Sequence, residues 1–267
     1  MNIELIECAG KDTIATLKRL RAEFPATGKY PFVIGDAEEL ARLREASEFN
    51  PQDAAAILTE AAGINVAEWI RTREEELRTD EESDDEADDL ADDLTDELED
   101  DDIAEFDFEE EFAFPDGLSP ERNGHGRLPD AESPAEFSGE GELISVHRDA
   151  LTGKFKNKIW TGLAKIEQSW MLPAITKYGG WNDCPAPPIH CAMMRYWQEK
   201  YGAEIVAMSG DVIECHVTRP PTTDETAMEL AQEQYDYCPD IVDQGTGTMI
   251  NLAATLMDSD HWYFWWD

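Results

Sequence analysis

Glu204-Ile205-Val206-Ala207-Met208-Ser209-Gly210-Asp211-Val212-Ile213-Glu214-Cys215-His216-Val217 is the stretch from which the fold can be read. Two β-rich runs, 204–208 and 212–217, flank the turn-forming Ser209-Gly210-Asp211, which reads as a hairpin. The residues before it are helical in pattern. Ile189, Ala192, Met193, Tyr196, Trp197 and Tyr201 fall on one apolar face, and Gly202 is a natural C-terminal stop. After it, Pro220-Pro221 ends the hairpin, and Thr222 with Glu225 forms a capping box for a further helix. That helix carries Ala227, Leu230, Ala231, Gln234, Tyr235 and Cys238 on one face and is halted by Pro239. Gly245 and Gly247 mark a loop. A last helix carries Met249, Leu252, Ala253, Leu256 and Met257, and the aromatic run 261–266 closes the chain as a strand inside the sheet.

Working back toward the N-terminus, 143–146 and 158–166 read as strands with a turn at 149–153. Residues 2–8 suggest a first strand. A helix follows from Lys11 to Phe24, stopped by Pro25 and Gly28. Tyr30-Pro31-Phe32-Val33-Ile34 is β-rich, and Pro31 places it at an edge or at a strand beginning. Asp36 caps a helix with Leu40 and Leu43. Asn50-Pro51 starts another, and Asn65 with Glu68 starts a third. The sequence thus predicts an α/β (or α+β) class, a mixed sheet flanked by helices, with a small N-terminal unit at 1–76 and a C-terminal domain at 142–267.

Between them, 77–141 reads as an acidic low-complexity linker. Of the 60 acidic residues, 25 lie at 74–116, opposed there by Arg78 alone. Like charge and scarce apolar residues predict disorder. Phe106, Phe108, Phe112 and Phe114 punctuate the acids. The formal net charge of -39 argues against nucleic acid and anionic membranes as partners and favours a basic protein. The N-terminus has no basic, apolar leader, and the five cysteines are an odd number, so free thiols and a cytoplasmic location are expected.

Gly179-Gly180-Trp181-Asn182-Asp183-Cys184-Pro185, Tyr201-Gly202-Ala203-Glu204, Gly210-Asp211-Val212, Arg219-Pro220-Pro221, Glu233-Gln234-Tyr235, Tyr237-Cys238-Pro239-Asp240 and the terminal Trp262-Tyr263-Phe264-Trp265-Trp266-Asp267 occur in that order. In these motifs the chain from about Leu143 onward resembles the DUF4253 family. The resemblance implies a bacterial origin and a domain boundary. It brings no catalytic residue with it.

Three constellations can be weighed. The first is a metal site. Cys184, His190, Cys191, Cys215, His216 and Cys238 are suitable ligand types, but none form the closely spaced pairs of structural zinc, so no metal and no cofactor are expected. The second is a nucleophilic Cys184 in a Gly/Pro loop before a helix, with His190 or His261 as base and Asp183 or Asp240 as orienter. The third is a ligand-binding cleft formed by Trp181, Asn182, Tyr235, Tyr237, Cys238, Asp240, Asp243, Gln244 and Trp262, suited to a cation or an Arg/Lys-bearing surface. Against it stands the tendency of tryptophan to be core. Gly245-Thr246-Gly247-Thr248 lacks the lysine of a phosphate loop and reads as a helix start. The reading favoured is a non-enzymatic interaction module, immunity-type or regulatory, that binds a basic partner. The alternative is a hydrolase or transferase using the Cys184 loop.

Overall fold

A six-stranded mixed sheet in the order β1-β3-β2-β4-β5-β6 forms the centre of the computed structural model, which describes residues 3–79 and 144–266. The strands are β1 (Glu4–Cys8), β2 (Tyr30–Gly35), β3 (Ile159–Ala164), β4 (Ala203–Met208), β5 (Val212–Val217) and β6 (His261–Trp265). All neighbours are antiparallel except β2 and β4, which run parallel. The helices are α1 (Thr13–Thr27), α2 (Ala37–Phe49), α3 (Ala54–Gly63), α4 (66–79), α5 (Leu172–Thr176), α6 (Pro187–Tyr201), α7 (Asp224–Tyr237) and α8 (Met249–Leu256). The expected mixed sheet flanked by helices is therefore what the chain builds. Residues 80–143, and with them most of the predicted disordered linker and its four phenylalanines, lie outside the described residues.

Strand alternation sorts side chains onto two faces. Phe32 and Ile34, Ile205, Ile213 and Cys215, and Trp262 and Phe264 join the main core, which is closed by α2, α6, α7 and α8. Val33, Ile159 and Val206 turn the other way, onto Leu17 of α1 and Ile144. A third cluster explains why α6 is buried beyond its predicted stripe. Its Cys191 packs on Ile57 and Ala61 of α3 and Ala174 of α5, so α6 is enclosed on two sides.

Several expectations are corrected. Pro25 lies inside α1, in its last turn, and the helix ends at Gly28, which adopts φ 62°. Only the Arg21 carbonyl there loses an i→i−4 donor. Pro31 stands at a strand beginning, one of its two readings, but the strand is interior and not an edge. The ladder from β2 to β4 is short, paired at Val33 and Ala207, so the missing N–H falls outside it. Asp53, not Asn50, caps α3, accepting from the Ala56 amide, and Asn50 instead accepts from the Gln52 amide. Thr223, not Thr222, caps α7. Residues 144–146 are not a strand, because a buried carboxylate takes their amides, as described below. Among the described residues, the aromatic β6 is an edge strand, paired with β5 alone. The 149–153 turn forms as expected, with Asp149 accepting from the amide and hydroxyl of Thr152.

Candidate functional site

The loop 179–186 connects α5 to α6 and positions Cys184. Its path needs positive φ at Gly179 (103°), Gly180 (90°) and Asn182 (44°). Gly179 is also a close approach: a Cβ there would collide with the Pro185 carbonyl oxygen and lie 2.5 Å from His190 Nε2. The Gly180 amide donates to the carbonyls of Cys184 and Pro185, and the Cys184 amide donates to the Trp181 carbonyl. Pro187 and Pro188 then open α6, and His190 lies in its first turn.

This geometry places the His190 imidazole between a thiol and a phenol. Nε2 lies 3.4 Å from Cys184 Sγ, and Nδ1 lies 2.5 Å from Tyr237 Oη at the end of α7. One ring nitrogen donates and the other accepts. Tyr178, Tyr237 and Trp266 meet the ring edge to face, with centroids 5.2 to 5.4 Å away. His190 and Tyr237 are fully buried and Cys184 is 3% exposed.

Burial decides the charge state. It lowers the His190 pKa to about 3, against a weaker opposing hydrogen bond at Pro185. Burial also pushes the Cys184 thiol far up, reinforced by Cys238 and Asp240 and opposed by the Gly180 amide. The Tyr237 phenol is raised well above its ordinary value, again by burial. At neutral pH the three groups are a neutral hydrogen-bonded chain, and the thiolate that nucleophilic chemistry needs is suppressed.

Cys184 and His190 are thus brought together, but Asp183 is not. It is exposed and paired with Arg73 at 3.0 Å, and Tyr237 occupies the orienting position instead. Asp240 accepts from the Gln244 side chain at 2.9 Å. The residues proposed for a cleft divide between core and surface. Tyr237, Cys238 and Trp262 are buried, Trp181, Tyr235 and Asp240 are half-buried, and Asn182, Asp243 and Gln244 are exposed. Trp181 packs edge to face on Tyr178 at 5.0 Å. A concavity of about 470 Å³ lies elsewhere, lined by Arg44, Ser47, Glu48 and Lys177. There Lys177 Nζ donates to the Asn50 carbonyl at the end of α2.

A second polar centre was not anticipated. Glu214 of β5 is fully buried on the face opposite Ile213 and Cys215. It accepts from the Ser145 amide at 2.8 and 2.9 Å, the Ser145 hydroxyl at 3.0 Å and the Val146 amide at 3.2 Å. His261 Nε2 lies 2.8 Å from Glu214 Oε2, the oxygen that also takes the Ser145 amide at 2.8 Å. A charged residue inside an otherwise apolar strand was the available signal, since such a group is buried only with partners. Among the described residues, no group of three or more His, Cys, Asp or Glu side chains gathers to hold a metal. No helix among them is long and apolar enough to cross a membrane.

No curated protein and no solved structure matches the chain. The family comparison agrees with the motifs read from the sequence and covers β4 to β6, the Cys184 loop and all but the first two residues of β3: residues 161–267, the C-terminal part of the chain, match the DUF4253 family, a domain of unknown function.

Proposed function

We propose that the chain is a non-enzymatic protein-interaction module that binds a basic partner, in an immunity-type or regulatory role. Charge distribution carries this reading. Several cations of the folded part are engaged by its own carboxylates, among them Arg21 with Glu204, Arg42 with Asp211, Lys156 with Asp36, Lys158 with Glu7 and Lys200 with Glu233. They do not offset the 25 acids of 74–116. Such an excess accelerates capture of a positively charged surface and repels nucleic acid and anionic lipid. Five free cysteines, four of them buried, suit the reducing cytoplasm of a bacterium, the setting this reading assumes. The test is a pull-down from the native host at low and moderate salt, using the chain and a variant with Asp and Glu at 84–102 changed to Asn and Gln. The wild type is expected to retain a basic protein that the variant loses. Recovery of no basic protein at either salt refutes the reading.

A second reading, a hydrolase or transferase built on the Cys184 loop, draws on the contact between Cys184, His190 and Tyr237. A thiol-reactive probe separates the two. Cys184 reacting faster than the half-exposed Cys8 would favour the enzyme, and slower reaction would remove its nucleophile.

A further inference from the structure

His216 and His261, distant in sequence, are direct cross-strand partners in the β5–β6 ladder. Opposed residues project from the same face with Cβ atoms about 5 Å apart. Both side chains belong to the face that carries Glu214 and Tyr263, and both are only partly buried.

Each ring has one nitrogen held by an acceptor. His216 Nδ1 lies 3.1 Å from the Asp260 carbonyl oxygen. A carbonyl only accepts, so Nδ1 carries the proton, and in the neutral ring the lone pair is on Nε2. His261 Nε2 lies 2.8 Å from the Glu214 carboxylate, which fixes the proton there and leaves the lone pair on Nδ1. A histidine that donates one N–H to a carboxylate or backbone carbonyl has the arrangement that orients imidazoles for metal ligation. Glu214 is itself fixed by the Ser145 and Val146 amides, so the support beneath His261 is rigid.

We propose that His216 and His261 form a two-histidine site for a divalent transition-metal ion of the Zn²⁺, Ni²⁺ and Cu²⁺ class, with Glu214 as the positioning residue for His261. Imidazole selects these ions over Mg²⁺ and Ca²⁺, which prefer oxygen. Two protein ligands leave the remaining positions to water, so the ion is exchangeable. The sequence argues against a metal because its candidate ligands lack the spaced pairs of structural zinc. Strand pairing, not spacing, supplies the proximity. The site is independent of the interaction reading above, since it uses none of the acids at 74–116.

The test is calorimetric titration of Zn²⁺ into the full chain after chelator treatment, with excess Mg²⁺ present to occupy carboxylates. One saturable site is expected, weakened about tenfold or more in His216→Gln and in His261→Gln. Isotherms of both variants superimposing on the wild type, or loss of all Zn²⁺ binding in Mg²⁺, would overturn the assignment. As a check on the unmodified protein, one equivalent of Cu²⁺ should show nitrogen hyperfine couplings from two imidazoles in its electron paramagnetic resonance spectrum. A spectrum with oxygen ligands alone would overturn it equally.

Discussion

Lowering the pH from 7 to 5 removes stability through His190. The ring is fully buried between Cys184 and Tyr237, faces Tyr178 and Trp266, and has its pKa lowered from 6.5 to about 3. Between those values the unfolded chain binds a proton that the folded chain refuses. The contribution is therefore fully present above pH 6.5 and is lost progressively as pH falls toward 3. Each pH unit well inside that window removes about 1.4 kcal/mol, and integration from pH 7 to 5 gives a loss of about 2 kcal/mol. Most carboxylates remain ionised at pH 5, so this window isolates the histidine from general acid effects. Urea unfolding at several pH values, followed by the fluorescence of the buried Trp197, Trp262 and Trp266, measures it. In His190→Gln the amide replaces the ring without titrating. This variant is expected to be less stable at pH 7 but to lose about 2 kcal/mol less than the wild type on going to pH 5. Equal losses in the two proteins would refute the account of His190 as a buried, uncharged ring.

Glu214→Ala should cost about 3 kcal/mol, because it leaves the Ser145 and Val146 amides without their acceptor, and hydrogen exchange at those two amides should quicken about a hundredfold if the segment detaches. Unchanged exchange there would show that the carboxylate does not hold the segment. Gly179→Ala should cost on the order of 3 kcal/mol in chemical denaturation, since it combines positive φ with a collision at the Pro185 carbonyl. Trp197→Ala should cost about 3–5 kcal/mol, through a cavity beside the stacked Phe264 ring, 5.4 Å away, and the loss of the indole donor to Glu233.

What could be read from the sequence was local. The 204–217 hairpin, the stop at Gly202 and the Asp36 cap each depend on residues within a few positions of one another, and each stands in the structure. Pairing across long sequence separations was not legible. The interior position of β2 depends on β3 and β4, and Pro31, which fits an edge or a strand beginning, could not decide between them because propensity does not register partners. The same limit applied to the sites. Cys184 and His190 were singled out as neighbours along the chain, whereas Tyr237, which completes their hydrogen-bonded chain, arrives from another helix. Glu214 is a charge in an apolar strand, but its partner was not in view because Ser145 lies 69 positions away in the chain. The residues read as a cleft differ in burial, with Trp262 and Tyr237 in the core and Asp243 and Gln244 exposed, a division that depends on tertiary packing and not on local spacing.

The interior position of β2 also bears on how the protein is made. β2 is wholly buried once folded, yet both strands that flank it are synthesised after the acidic stretch. At about 5–20 residues per second, β2 waits on the order of ten seconds outside the ribosome before β3 and β4 emerge. During that wait an apolar strand with open edges is a template for association between nascent chains. Like charges in the block that follows it out of the exit tunnel repel one another, which opposes such association. A fragment begun at residue 161 would emerge without β2 and would leave β3 and β4 with unpaired edges for good.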